Sequence, residues 1–120
     1  MKESVRAAVA YIVGVLISKQ PSNAVFDHSA GTHILFSGNI SSSNINIYDH
    51  THSYHITGNG SKSQMMLFHY GEASHISLQL SGNQFSGFDY GTGTHFSGNV
   101  DGKNVNLYDY SVGSYFIYSV

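Results

Sequence analysis

The chain has 120 residues, of which 41% are hydrophobic and 10% charged, and it contains no cysteine. This length fits a single domain, the apolar fraction is too high for a disordered segment, and the lack of cysteine excludes disulfides and thiolate chemistry. A formal net charge of −2 gives no sign of a surface for nucleic acid.

The N-terminal segment predicts an amphipathic helix over residues 1–21. Its apolar residues recur at helical spacing, at Val5, Val9, Ile12, Val13 and Leu16. Pro21 ends the pattern, because proline lacks the N–H group that a helix interior needs. A secretory signal over residues 1–24 is the alternative, with Lys2 and Arg6 ahead of an apolar run. That run is too short to span a membrane, so no membrane span is predicted.

From residue 22 onward the sequence repeats with a period of 20 residues. The units run approximately over 22–41, 42–61, 62–81, 82–101 and 102–120. Within each unit, apolar and polar residues alternate, and Gly and Ser cluster twice. This pattern predicts two short strands and two turns per unit, in one β-repeat domain over residues 22–120.

Two architectures fit this repeat. In a β-solenoid, each unit is one coil, and residue n lies against residue n+20 about 4.8 Å away. Such stacking favours matched columns, and amide columns occur at Asn44/Gln64/Gln84/Asn104 and at Asn59/Gln79/Asn99. We therefore predict an all-β, five-coil β-solenoid capped by the N-terminal α-helix. The alternative is an antiparallel β-meander or sandwich of about ten short strands, with a tight turn at Asp101–Gly102.

Three columns of aromatic and histidine residues are the candidate binding surface. They are Tyr48, Phe68, Phe88 and Tyr108; His50, Tyr70, Tyr90 and Tyr110; and His55, His75, His95 and Tyr115. If Ile45 and Ile47 point into the core, alternation places Tyr48 and His50 on the outside. Exposed aromatic rings beside amides and carboxylates suit a glycan, and they suit a protein partner equally well.

The polar columns give no convincing catalytic or metal site. A linear row of imidazoles spreads its nitrogen atoms apart, whereas zinc needs converging ligands. The column Asp49/His69/Asp89/Asp109 precedes Gly- and Ser-rich turns, so we expect these carboxylates to accept backbone N–H bonds. We predict no catalytic residue, no metal and no cofactor.

The function predicted from these observations is that of a non-enzymatic structural or interaction protein, acting by self-association or by binding a macromolecular partner. The alternatives are a glycan-binding module that uses the Tyr/His/Asp face, and a small acidic inhibitor or immunity-type protein. The apolar end of the last unit, residues 115–120, would lie uncapped in a solenoid, so a homo-oligomer is expected.

Charge and location complete the prediction. The repeat region has two lysines (Lys62 and Lys103), no arginine and six acidic residues, so no nucleic-acid partner is expected. It also holds all eight histidines, so association should respond to mild acid. A cytoplasmic location is predicted, or a secreted or periplasmic one if the N-terminal segment is an export signal.

Overall fold

In the computed structural model, which describes residues 1–61 and 63–120, ten antiparallel strands form a closed barrel around one helix. Lys62 lies outside the described residues. The helix α1 spans Glu3–Ser18. Each strand pairs with its neighbours along the chain, and β10 pairs with β1 to close the barrel. The strands are β1 Ala24–Asp27, β2 Thr32–Ile40, β3 Asn44–Asp49, β4 Tyr54–Gly60, β5 Gln64–His69, β6 Ser74–Ser81, β7 Gln84–Asp89, β8 Thr94–Asp101, β9 Asn104–Asp109 and β10 Ser114–Ser119.

The prediction of a β-solenoid is therefore wrong, and the ten-strand antiparallel alternative is closer to the structure. Each repeat unit forms a β-hairpin, so an intervening strand separates residue n from residue n+20. Asn44 pairs with Asn59 rather than with Gln64. The direct amide and aromatic ladders predicted for a solenoid are consequently absent from the described residues. The columns match because successive hairpins occupy equivalent places around the barrel.

The residues in the turns favour hairpins, and they differ between the two ends of the barrel. At one end, β8 and β9 are joined through Gly102, whose φ of 62° suits the tight turn that the meander alternative required. At the other end, which we call the Asp end, each turn follows an inward-facing Asp or His. The Asp-end turns comprise residues 28–31, 50–53, 70–73, 90–93 and 110–113.

The helix α1 fills the barrel interior and does not cap an end. Residues 7–13 are each at most 4% exposed, and Tyr11 stacks on Phe36 with ring centroids 4.3 Å apart. A helix that is apolar on every side is a buried helix. A Cβ atom placed on Gly14 would lie 2.5 Å from Val120, so glycine permits the close approach of helix and wall. The predicted role as an end cap is therefore wrong.

The length of the helix matches the barrel that encloses it. Its 16 residues span about 24 Å at a rise of about 1.5 Å per residue, and the smallest dimension of the molecule is 26 Å. Side chains alone fill barrels of about eight strands, and a wider barrel needs further material inside. The helix supplies that material. No helix among the described residues is long and apolar enough to cross a bilayer.

The C-terminal residues are part of the barrel wall. Tyr118 is fully buried, and Phe116 packs against the core beneath the guanidinium group of Arg6, 3.9 Å from the ring centroid. The uncapped apolar coil that motivated the homo-oligomer therefore does not exist, because β10 pairs with both β9 and β1.

Candidate functional site

Alternation along each strand separates two sets of side chains at the Asp end of the barrel. Tyr48 points outward and its neighbour Asp49 points inward, as the pairing of β3 with β4 requires. The same arrangement recurs in the other hairpins. The outward aromatic residues and the inward polar residues therefore form two separate surfaces, one exposed and one buried.

The outward residues form clusters of three rings, which together we call the aromatic band. In each cluster, a central ring contacts the ring two residues later and the ring opposite it on the paired strand. The ring centroids are 4.7–4.9 Å apart and the planes meet at 60–89°. The clusters are Phe26/His28/His33, Tyr48/His50/His55, Phe68/Tyr70/His75, Phe88/Tyr90/His95 and Tyr108/Tyr110/Tyr115.

All twelve residues of the three predicted columns lie in this band. The structure regroups them, because each of four clusters takes one residue from each column. It also adds Phe26, His28 and His33, which belong to the first repeat unit. The signal for these three was present in the sequence, but two extra residues in the first unit shift it away from the exact period.

The outer rings of the band are accessible while the central rings are half-buried. Tyr70, Tyr90 and Tyr110 are 56–58% exposed, and Tyr115 is 65% exposed. Perpendicular ring contacts contribute about 0.5–1.5 kcal/mol each beyond the burial of area, so the exposed rings are held in place. None of the residues of the band is a Lys, Arg, Asp or Glu. The band is a preformed aromatic surface without a formal charge when its histidines are neutral.

Hydrogen bonds tie some of these rings to the adjacent hairpin. His50 Nε2 lies 2.6 Å from Ser37 Oγ, and the hydroxyl of Tyr110 lies 3.2 Å from Ser97 Oγ. These contacts cross from one hairpin to the next, so they fix the position of a cluster relative to its neighbour.

The inward residues at the same end form a buried set, which we call the inner row. Asp49 Oδ1 accepts hydrogen bonds from the N–H groups of Thr51 and His52, both at 2.9 Å, and Asp89 Oδ1 accepts one from Gly91 at 2.9 Å. The prediction that these carboxylates cap turns is confirmed. The inner row consists of Asp27, Asp49, His69, Asp89 and Asp109, each at most 3% exposed.

Asp109 also connects the inner row to the helix. Its Oδ2 accepts a hydrogen bond from Arg6 Nη1 at 3.3 Å and lies 3.2 Å from the amino group of Met1. Burial opposes the charged form, but the hydrogen bonds from Ser111 and the interaction with the N-terminal amine outweigh it and lower the pKa of Asp109. This carboxylate is therefore a structural anion that holds α1 in register with the barrel.

His69 is the exception in the inner row. Its Nδ1 accepts a hydrogen bond from the N–H of Glu72 at 3.2 Å, so the proton of the neutral ring lies on Nε2. Nε2 is buried and has no hydrogen-bond partner among residues 1–61 and 63–120. Burial lowers the pKa of His69, although Glu72, Asp49 and Asp89 oppose that shift. The ring therefore serves as a neutral substitute for a carboxylate cap.

A further cleft lies at the end of the barrel opposite the Asp end. It has a volume of about 1110 Å³ and is lined in part by Leu16 and Ile17 of the helix and by Ile40 and Leu80 of the wall. It contains none of the residues predicted as a binding surface. In the described part of the chain, no group of three or more His, Asp or Glu side chains is placed to hold a metal ion.

Comparisons with models of protein families, with curated proteins and with solved structures find no match to this chain.

Proposed function

We propose that this protein is a non-enzymatic binding protein whose binding surface is the aromatic band. The observation that carries the proposal is the recurrence of the same three-ring cluster around the outside of one end of the barrel, with ring spacings that vary by only 0.2 Å, from 4.7 to 4.9 Å. Packing within one hairpin does not explain why the outer rings are exposed, whereas binding of a partner does.

The geometry suits binding because the rings are already ordered. Rigid aromatic side chains lose little conformational entropy when a partner covers them, and Tyr is enriched at the centres of interfaces. Repeated clusters also offer several equivalent contacts to one partner, and linked contacts raise the overall affinity. A macromolecule with a repeating surface is therefore the partner that this arrangement favours.

The inner row supports a structural role better than a catalytic one. Asp49 and Asp89 are buried and already accept hydrogen bonds from their own turns. A general acid or base must reach a proton on a substrate. These two carboxylates thus lie on the face that a partner does not meet.

We also propose that the N-terminal segment stays with the functional protein. Residues 3–18 form the helix that fills the barrel, so cleavage after residue 24 would remove a large part of the core. This favours the predicted cytoplasmic location over export by cleavage of that segment.

The test compares the wild type with a band variant, Tyr70→Ser/Tyr90→Ser/Tyr110→Ser, as immobilised full-length chains. A matched control, Asn39→Ser/Asn46→Ser, changes paired, exposed positions of the outer wall away from the band. Each is exposed to a lysate and to an envelope polysaccharide extract of the source organism. We expect a macromolecule that the wild type and the control retain and the band variant loses. Identical retention by the wild type and the band variant would contradict the proposal.

A further inference from the structure

A shallow cleft crosses the outer wall below the part of the aromatic band that is richest in tyrosine. It consists of two adjoining depressions of about 510 and 460 Å³, which share Gln79, Ser86 and Ser97. This size falls within the range of about 300–1,000 Å³ that is typical of small-molecule sites. We call it the amide cleft, and its further lining includes Asn99 on the floor and Phe88, His95, Tyr110 and Tyr115 on the walls.

A small residue on β7 lowers the outer wall at this cleft. Ser86 occupies the position that Asn46, Met66 and Asn106 hold in other units, whereas the neighbouring Gly87 lies at an inward position, where a Cβ atom would meet the ring of Phe96. Two of the lining residues, Tyr110 and Tyr115, belong to the cluster Tyr108/Tyr110/Tyr115, which has no histidine. The cleft is therefore a local departure from the repeat, combining a lowered floor with larger phenolic walls.

The floor offers hydrogen-bonding groups without charge. Ser86 Oγ donates to Gln79 Oε1 at 3.4 Å, and Asn106 Nδ2 donates to Asn99 Oδ1 at 3.0 Å. These contacts occupy amide oxygens, so the N–H groups of Gln79 and Asn99 stay available as donors and the serine oxygen atoms as acceptors. Among the described residues that line either depression, none is a Lys, Arg, Asp or Glu. A charged ligand finds no counter-ion there when His95 is neutral.

We propose that the amide cleft binds a neutral oligosaccharide of hexose units. The apolar face of one pyranose ring lies on the ring of Tyr110 or Tyr115, and its hydroxyl groups exchange hydrogen bonds with Gln79, Ser97 and Asn99. Two adjoining depressions accommodate consecutive sugar units better than a single monosaccharide. The polar floor disfavours a protein partner at this place, because the centre of a protein interface is apolar and excludes water.

This inference rests on the proposed binding function of the aromatic band and names the ligand class for one part of it. The test is an NMR titration of the ¹⁵N-labelled full chain with neutral oligosaccharides of hexose units, namely cellohexaose, maltohexaose and a β-linked mannan oligosaccharide. We expect saturable shifts with at least one of them, centred on the amides of Gln79, Ser97 and Tyr110.

Variants locate the binding. Gln79→Ala and Tyr110→Ala should each raise the Kd for that oligosaccharide by about fivefold or more, since each removes one hydrogen bond or one stacking surface. Asn46→Ala, at the position equivalent to Ser86 on the opposite side of the barrel, should leave the Kd unchanged. Far-ultraviolet circular dichroism of each variant verifies that the fold is intact.

The outcomes separate this inference from the proposed function. Lack of saturable binding of any oligosaccharide at about 10 mM, well above the millimolar Kd of a weak ligand, would overturn the inference, and so would binding that both cleft variants retain. If a protein retained through the band is found in the same series, the proposed function stands while the carbohydrate ligand is rejected. If neither an oligosaccharide nor any other macromolecule depends on the band, both fail.

Discussion

The inner row and the aromatic band occupy neighbouring residues of the same strands, yet their side chains meet opposite environments. Asp109 is fully buried and bonded to its own turn and to Arg6, whereas Tyr110, one residue later, is 57% exposed. The difference shows that each Asp-end turn is preceded by a residue with a structural role and flanked by rings that are open to solvent. The inward residue stabilises the barrel, and the outward rings remain available to a partner. Stability and binding should therefore respond to different mutations.

The largest expected effect comes from breaking the inner row at its connection to the helix. Asp109→Ala should lower the free energy of unfolding by about 3–5 kcal/mol, because it leaves the part-buried Arg6 without its carboxylate and removes the cap of the turn. Urea denaturation followed by circular dichroism measures this. Tyr110→Ala is the outward control and should cost less than about 1 kcal/mol. Equal losses for the two variants would contradict the division between inner and outer residues.

A smaller effect is expected at a central ring, which supports the two outer rings of its cluster. Phe88 is half-buried and contacts both Tyr90 and His95. Phe88→Ala should therefore lower the free energy of unfolding by about 1–2 kcal/mol. Tyr90→Ala removes one exposed ring and should cost less. If chemical denaturation ranks Tyr90→Ala as the more damaging change, the central rings do not hold the clusters together.

The stability that the inner row provides should depend on pH through His69. Because burial lowers the pKa of His69 in the folded state, the unfolded chain binds a proton that the folded chain does not once the pH falls below about 6.5. The contribution of His69 to stability is therefore present above that pH and is lost as the pH falls toward the folded-state pKa.

The variant His69→Asn isolates this titration, because asparagine can accept the turn N–H and does not ionise in this range. Between pH 7.5 and pH 5, we expect the wild type to lose more stability than His69→Asn, as measured by thermal unfolding. The remaining histidines are common to both proteins and cancel in the difference. Parallel losses in the two proteins would show that His69 is not a neutral buried cap.

The smallest expected effect concerns the backbone of the Asp-end turns. The last turn residue is left-handed in each repeat, and it is Gly93 in one turn but Ala73 in another, with φ values of 67° and 50°. Ala73→Gly should raise the free energy of unfolding by about 0.5–1 kcal/mol, because glycine adopts this conformation without strain. Gly93→Ala should lower it by a similar amount. Changes of the opposite sign, measured by chemical denaturation, would contradict the equivalence of these turns.

The strands and the outward position of the rings were predictable from the sequence, and barrel closure was not. The alternation of Ile45 and Ile47 with polar residues indicates a strand and places Tyr48 outside. The same columns arise whether Asn44 lies against Gln64 or, as observed, against Asn59. A repeat period shows which residues of the units are equivalent, but it does not show whether equivalent strands pair directly or are separated by another strand.

The buried helix and the ring clusters were missed for related reasons. Ala7, Ala8 and Ala10 give the helix no strongly polar face, which is the signal that it is covered on every side. That signal does not identify what covers it. Likewise, His50 and His55 meet at Tyr48 only through the pairing of β3 with β4 and the intervening turn. Contacts of this kind depend on which strands pair, so they could not be predicted before the strand order was known.

The most direct test of the aromatic band as the binding surface is a ¹H–¹⁵N NMR map of the full chain with the partner or oligosaccharide that it retains. We predict that the perturbed amides lie in the aromatic band and the amide cleft, around residues such as Tyr90, Ser97 and Tyr110, while those of α1 stay unchanged. Perturbations concentrated at the opposite end of the barrel, around Leu16 and Ile40, would contradict it.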